Sequence, residues 1–285
     1  AAAYPAHIRW QEQNRIFLNA DHWIGSYFDK PAWLGCLVGE WLTQWFSHPV
    51  AGAIILSVAL CFCVACFAIA ARRVLPGWAA WLLSAAFAVL MIGCSMPAAT
   101  SLALFICIAG SLALGFARLQ FSISRSKGER HTLDLTPLVV ALAYWLFGGA
   151  ALLTALLIAA FSIKEVRKRG KMMVPVAVAA CSLGIAFAMP AILCRSYNLP
   201  YAKALVYPPV VAPALPNFDY EERLAVADAF YAGDYDRTKR LAQKAANPGD
   251  IQAFYYYLSS ALQDSLPDNL LKYPNRYLGT LTTIG

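Results

Sequence analysis

The sequence has four long stretches without a single Asp, Glu, Lys or Arg: residues 49–71, 74–117, 135–163 and 172–194. A soluble domain does not bury so much continuous apolar sequence. A helix that crosses the hydrocarbon core of a bilayer, in contrast, needs roughly 20 predominantly apolar residues. The sequence therefore predicts an all-α, polytopic membrane protein, with the lipid bilayer as its first partner.

Charged residues are scarce over the whole chain, at 14% against about 25% in an ordinary soluble domain. The net charge of +7 could suggest nucleic acid, but the basic residues cluster at the ends of the apolar runs, as topology determinants do. We therefore expect no nucleic-acid partner. The predicted cytoplasmic topology determinants are Arg72, Arg73, Arg125, Lys127, Arg130, Lys164, Arg167, Lys168 and Arg169.

The apolar runs also lack the side chains that ion transport and metal binding need. Proton pumps, ion-coupled carriers and voltage sensors place ionisable groups at membrane depth, which argues against these classes. None of the eight cysteines pairs with a histidine at a metal-ligand spacing. We predict neither a metal nor another cofactor, and we interpret Cys63 and Cys66, in the middle of a run, as packing residues.

Five apolar segments are predicted to enter the membrane, at about 50–71, 77–95, 99–117, 136–163 and 173–194. The fourth has two interpretations. As a single span it would place the two strongest basic clusters on opposite faces, whereas a short hairpin broken at Gly148 and Gly149 would place them on one face. The excess of basic residues on cytoplasmic loops favours the hairpin. Residues 1–48 and 195–285 would then face the periplasm, with the chain in the inner membrane.

The segment before the first span predicts an interfacial helix over residues 31–46. Trp33, Leu37, Trp41 and Trp45 recur at helical spacing on one face. Tryptophan favours the boundary between headgroups and acyl chains, where both its ring and its N–H are satisfied. We expect this amphipathic helix to lie in the membrane plane, with the four side chains against lipid or the helical bundle.

Upstream of that helix, carboxylates and an imidazole lie close to the membrane surface. Glu12, Asp21 and His22 are the candidate catalytic residues, because a Glu and an Asp with an adjacent His could act as acid and base or bind a divalent metal. Their spacing matches no established motif. The alternative is a solvated, hydrogen-bonded entry to the amphipathic helix.

The tail after residue 195 begins with a proline-rich linker and continues with three predicted helices, at 219–231, 235–246 and 250–263. Gly233 and Pro248 mark the turns between them. This alternation resembles tetratricopeptide (TPR) repeats, which stack helices antiparallel around an apolar core. The expected buried set is Leu224, Phe230, Leu241, Phe254, Leu258 and Leu262.

Three segments resemble one known family. They are residues 12–18 (EQNRIFL), residues 39–44 (GEWLTQ) with 49–56 (PVAGAIIL), and residues 256–262 (YYLSSAL). They are similar to an uncharacterised family of polytopic inner-membrane proteins of Bacteroidetes, a domain of unknown function. The resemblance implies several spans and a periplasmic TPR-like tail, but no activity. Because the family has an earlier span and a longer tail, we expect this chain to be a piece of a longer protein.

Two functional hypotheses follow. In the first, the protein is a membrane anchor without catalytic activity, and its helical tail binds a protein partner on the periplasmic side. In the second, it resembles the GT-C glycosyltransferases, which use lipid-linked sugars and place acidic residues in the first periplasmic loop. Glu12 and Asp21 occupy the corresponding place here. This second hypothesis is an analogy at the level of the fold.

Overall fold

The computed structural model describes residues 5–13, 21–95, 100–125, 135–169, 173–210, 212–215, 217–245, 249–269 and 273. Within these ranges the chain is helical and contains no strand, so the predicted all-α class is confirmed. Contacts divide the chain into two compact units. The tail unit comprises residues 1–13, 46–53 and 215–285, and the span unit comprises residues 14–45 and 54–214.

The described residues form fourteen α-helices, two of them preceded by a short 3₁₀ turn, at Gln44–Ser47 and at Gly148–Ala150. The helices are α1 Pro5–Gln13, α2 Asp21–Phe28, α3 Trp33–Thr43, α4 Pro49–Val74, α5 Gly77–Ser95, α6 Ser101–Arg125, α7 Thr136–Phe147, α8 Ala151–Arg169, α9 Met173–Ser196, α10 Tyr201–Leu205, α11 Phe218–Tyr231, α12 Tyr235–Lys244, α13 Asp250–Leu262 and α14 Leu266–Asn269.

Five helical stretches among the described residues are long and apolar enough to cross a bilayer, which makes this a multi-pass membrane protein. The fourth stretch consists of α7, the 3₁₀ turn and most of α8. The five stretches are Pro49–Val74, Gly77–Ser95, Ser101–Gln120, Thr136–Lys164 and Met173–Cys194.

Helix α6 is the most buried of the five and forms the centre of the span unit. Small and polar residues let α8 approach it closely. The Ser111 hydroxyl donates to the carbonyl of Ala150 at 2.9 Å, and the Thr154 hydroxyl donates to the carbonyl of Ser111 at 2.6 Å. Such interhelical hydrogen bonds stabilise helix pairs in lipid, where no water competes.

The contacts between α6 and α8 also give their relative direction. Gly110 lies against the Phe147 ring that precedes the turn, and Gly115 lies against Thr154. The contact partner therefore moves from Phe147 to Thr154 as α6 advances from Gly110 to Gly115, so residue numbers rise in the same direction on both sides of the contact. The two helices run parallel, with their basic C-terminal ends at the same end of the pair.

Helix α3 packs along α6 through its smallest residues. Gly35 lies against Cys107 and Gly39 against Ala103, so the two helices run antiparallel at this contact. The buried face is Gly35, Cys36, Gly39 and Thr43, rather than the tryptophan face. The apolar pattern of a helix predicts which of its faces is buried, but not the direction of its axis. The sequence therefore could not distinguish a helix α3 that runs along α6 from one that crosses it.

The chain that follows α9 returns to pack against the spans. The Tyr144 hydroxyl of α7 donates to the carbonyl of Ala204 at 2.9 Å, and the Gly149 amide donates to the carbonyl of Tyr207 at 2.7 Å. Gly148 has a φ of +61°, a conformation that favours glycine. A side chain there would also collide with the Tyr207 carbonyl.

In the tail unit, helices α11, α12 and α13 form a stack within two residues of the predicted bounds. Side chains of Asn217 and Asp234 accept hydrogen bonds from the first turns of α11 and α12, as N-cap residues do. Gly233, with a φ of +76°, makes the turn between the two helices. Neighbouring contacts show that α12 and α13 run antiparallel: Gln243 contacts Tyr256, and Asp236 contacts Gln263.

The predicted buried set of the tail is wrong for two of its six members and only partly right for the other four. Phe254 and Leu262 are exposed, at 44% and 54%, and Leu224, Phe230, Leu241 and Leu258 are only partly buried. The core is instead Val226, Ala229, Ala242, Ala253, Tyr256 and Tyr257, with Tyr273 packed on the last two. The helices pack through these alanines and tyrosines, so Phe254 and Leu262 lie at the margins of the stack.

Candidate functional site

Helix α1 is attached to the tail helices through its first turn. The backbone amides of Ala6 and His7 donate to the two carboxylate oxygens of Glu221, at 2.8 and 3.0 Å. A helix leaves its first amides without intrahelical partners, and a carboxylate there is also favoured by the helix dipole. Burial raises the pKa of Glu221, while the two amides offset part of that shift.

A second set of contacts holds the other side of α1 against α11. Arg9 forms an ion pair with Asp228 at 2.5 Å. The His7 ring stacks on Trp10 at a centroid distance of 5.4 Å, and the edge of Tyr220 meets Trp10 at 6.1 Å. Because Arg9 and Asp228 are partly exposed, this pair contributes at most about 1 kcal/mol.

Between α1, α11 and α13 lies a cleft of about 280 Å³. Its walls combine aromatic rings with two guanidinium groups. The residues that carry its chemistry are Arg9, Trp10, Tyr220, Arg223, Tyr231 and Tyr255. Aromatic and arginine side chains are the types that dominate the binding energy at protein interfaces.

Arg223 differs from Arg9 in having a side-chain nitrogen without a partner among the described residues. Its Nε atom is buried and makes no hydrogen bond with any residue that the structure describes. A buried donor without a partner costs about 1–3 kcal/mol. The Arg223 side chain also lines the cleft, and the best partner for a guanidinium is a carboxylate or a phosphate.

The aromatic end of the cleft is uncharged. The Tyr255 hydroxyl donates to the Tyr231 hydroxyl at 3.3 Å, and the Phe230 ring lies 5.0 Å from the Tyr255 ring. Burial, and then the bond to Tyr231, raise the pKa of Tyr255 to about 12. The Tyr255 hydroxyl is thus protonated at physiological pH.

The structure does not bring the candidate catalytic residues together within one unit. Glu12 lies on α1 in the tail unit and is partly buried. Asp21 and His22 begin α2 in the span unit, and their side chains lie outside the described residues. The described part of the chain holds no group of three or more His, Cys, Asp or Glu side chains that could bind a metal.

The predicted interfacial residues have different surroundings. Trp33 is partly buried between Phe28, at 4.5 Å, and Trp145, at 5.4 Å. Leu37 is also partly buried, whereas Trp41 and Trp45 are about half exposed. The two exposed rings remain available to lipid.

Three of the predicted topology determinants lie close together in the span unit. The Lys164 ammonium donates to the carbonyl of Arg73 at 2.8 Å, and Arg73 lies over the ring of Phe116. Arg72 lies over Trp81 at 4.4 Å. Lys127 and Arg130 fall outside the described residues, as do the side chains of Arg125, Arg167, Lys168 and Arg169.

A family model of unknown function, DUF6057, matches residues 1–284. The chain belongs to this family. Comparisons with curated proteins and with solved structures gave no match. Membership of DUF6057 agrees with the resemblance to an uncharacterised family and assigns no chemistry to any residue.

Sequence patterns missed the cleft because it joins segments more than 200 residues apart, as the hydrogen bond from Ala6 to Glu221 shows. One signal was available. Tyr220, Leu224, Ala227 and Tyr231 recur at helical spacing on α11, on a different face from the buried Val226 and Ala229. When a helix in a single-layer stack has two apolar faces, one face packs on the neighbouring helices and the other is available to another segment.

Proposed function

We propose that this DUF6057 member is an inner-membrane anchor whose tail unit binds an acidic peptide segment of a partner protein in the cleft between α1, α11 and α13. The observation that carries the proposal is Arg223, whose buried Nε has no described partner inside an aromatic cleft. A carboxylate from the peptide would pair with the Arg223 guanidinium that lines the cleft, and the tyrosine rings would cover the peptide's apolar side chains.

The helical stack supports a repeat-like binding module. Arg223 lies near Gly249, and Tyr231 bonds to Tyr255, so α11 and α13 run parallel and line the same surface. Helical repeats of the TPR kind present the first helix of each pair in this way, along an extended binding face. The proposed module is thus TPR-like, with α11 and α12 as one pair and α13 beginning the next.

We also propose that residues 136–169 form a hairpin. Helices α6 and α8 run parallel, and Gly115 contacts Thr154. Arg125 and Lys164 each lie ten residues further along, so they are at the same height in the helix pair. If α7 continued straight into α8, Thr136 would lie 28 residues before Lys164 on one helix, which is about 42 Å along its axis. The chain from Arg125 to Thr136 would reach at most about 40 Å when fully extended. The two lengths are nearly equal, so a single span would require an almost fully extended connection, and a reversal at Gly148–Ala150 removes that requirement.

The hairpin favours one topology. The ends of α4, α6 and α8 would share the cytoplasmic face, where basic residues accumulate. Helix α4 begins in the tail unit, where Gly52 lies against Ile8 and Phe46, and Arg72 and Arg73 are at its other end. The tail unit would therefore face the periplasm.

Cysteine labelling from outside spheroplasts tests this topology. Cysteines introduced at Ser126 and Gly170 should both stay unlabelled, whereas one at the exposed Ala232 of the tail should react. The unmodified chain measures the background from its eight native cysteines. Labelling at only one of the first two positions would mean that residues 136–169 cross the membrane once.

Site-specific crosslinking tests peptide binding. A photoreactive residue at Tyr231, which lines the cleft and is 70% exposed, should form a protein adduct in intact cells. Hydrogen bonds to charged groups are worth about 1.5–3 kcal/mol, so Arg223→Ala should weaken binding at least about tenfold. Arg240→Ala removes an exposed arginine of α12 and should leave the adduct unchanged. Equal yields in both variants would refute the proposed site.

A further inference from the structure

The segment after α9 folds back along the spans. The Tyr201 hydroxyl of α10 donates to the carbonyl of Phe187 at 3.3 Å. Phe187 lies seven residues before Cys194, where the fifth apolar stretch ends, which is about 10 Å along the helix. Helix α10 therefore lies beside the last turns of a membrane-spanning helix, at the depth where headgroups meet acyl chains.

A groove of about 440 Å³ opens on this segment. Leu199, Val206, Tyr207 and Val210 give it apolar walls, and Lys203 is the one cation among the described lining residues. Val206 and Val210 are 46% and 48% exposed. An exposed apolar surface at this depth is covered by lipid and not by water.

Lys203 has no ion-pair partner among the residues that the structure describes. Its side chain makes no ion pair or hydrogen bond with any residue in the described ranges, and none of the described lining residues carries a carboxylate. The natural partner of a cationic side chain at the edge of the hydrocarbon layer is a lipid phosphate.

We propose that this groove binds one anionic glycerophospholipid, with its phosphate on Lys203 and the upper part of one acyl chain along Leu199, Val206 and Val210. Charge complementarity and depth select this occupant. A soluble anion would leave the apolar walls exposed, and a zwitterionic lipid would bring a second cation close to Lys203. Tyr207 completes the site at the level where aromatic residues anchor proteins to headgroups.

Native mass spectrometry of the full chain in detergent, titrated with phosphatidylglycerol, tests the proposal. One basic residue near an anionic membrane surface is worth about 1 kcal/mol, so Lys203→Ala should raise the dissociation constant from the titration about fivefold. Lys203→Arg should retain binding. Lys244→Ala removes an exposed lysine of the tail unit and serves as the matched control.

Three comparisons decide the outcome. Phosphatidylcholine should bind less than phosphatidylglycerol, and inorganic phosphate should not compete, because the acyl chain contributes. Val206→Ser should weaken binding while leaving the charge in place. Equal binding by the unmodified chain, Lys203→Ala and Lys244→Ala would overturn the proposal, as would full competition by inorganic phosphate. Thermal unfolding of each variant distinguishes lost binding from lost folding.

Discussion

Two glycine-to-alanine substitutions should have opposite effects on stability. In Gly39→Ala, the new Cβ would lie 2.6 Å from the Cα of Ala103 and 2.9 Å from its amide nitrogen. These are backbone atoms of α6 and cannot rotate away, so α3 must shift. In Gly184→Ala, on the exposed side of α9, the new Cβ meets nothing within 4 Å.

The expected magnitudes differ in sign. Inserting a methyl group into a packed interface costs about 1–3 kcal/mol, and membrane helices use small residues at their contacts for this reason. An open helical position instead gains about 0.5–1 kcal/mol when glycine becomes alanine. The free energies of unfolding of the two variants should therefore differ by about 1.5–4 kcal/mol.

Equilibrium unfolding of both variants in the same detergent measures this difference. A second substitution, Ala103→Gly, removes the Cβ that would lie 2.7 Å from the new methyl group of Gly39→Ala. It should rescue only part of the loss, because the backbone of residue 103 remains in place. If Gly39→Ala is as stable as Gly184→Ala, α3 does not pack on α6 through this face.

Three further outcomes are expected. Burial raises the pKa of Glu221 above its ordinary value of 4.5, so its charged form opposes folding, and stability should fall as pH rises from about 4.5 through the folded pKa. Glu221→Gln should flatten that slope in pH-dependent unfolding, and an unchanged slope would contradict the assignment. A double-mutant cycle on Arg9 and Asp228 should give a coupling below about 1 kcal/mol, and a larger value would mean that the pair is desolvated. Thr154→Val should cost about 0.6 kcal/mol in detergent unfolding, because Ser111 keeps its bond to Ala150; a loss above about 2 kcal/mol would contradict this.

The parts of the fold that sequence predicted depend on local patterns. Charge-free runs identify the five apolar stretches because desolvating a charge is costly wherever it occurs. Gly233 and the helical periodicity placed α11, α12 and α13 within two residues. In both cases the determining interaction lies within one helix or one turn.

The parts that sequence missed depend on which surfaces meet. Ala242 and Ala253 belong to the tail core because helices approach closely at alanine. The larger Phe254 and Leu262 were predicted to be buried because of their size, but they lie on exposed faces. The attachment of α1 to Glu221 joins residues 215 positions apart. Nothing in the residues near Ala6 indicates which carboxylate will accept its amide, so the attachment of α1 follows only from the three-dimensional arrangement.

The return of the chain after α9 sets the limits within which the membrane portion can be shortened. Gly149 relies on the carbonyl of Tyr207, Tyr144 on that of Ala204, and the amide of Ala214 donates to Gly93 at 3.1 Å. A chain cut at Ser196, the last residue of α9, would leave the Gly149 amide and the Tyr144 hydroxyl without acceptors at membrane depth. The smallest membrane portion that keeps these bonds therefore ends no earlier than Ala214, so the proline-rich segment belongs with the membrane helices rather than with the tail.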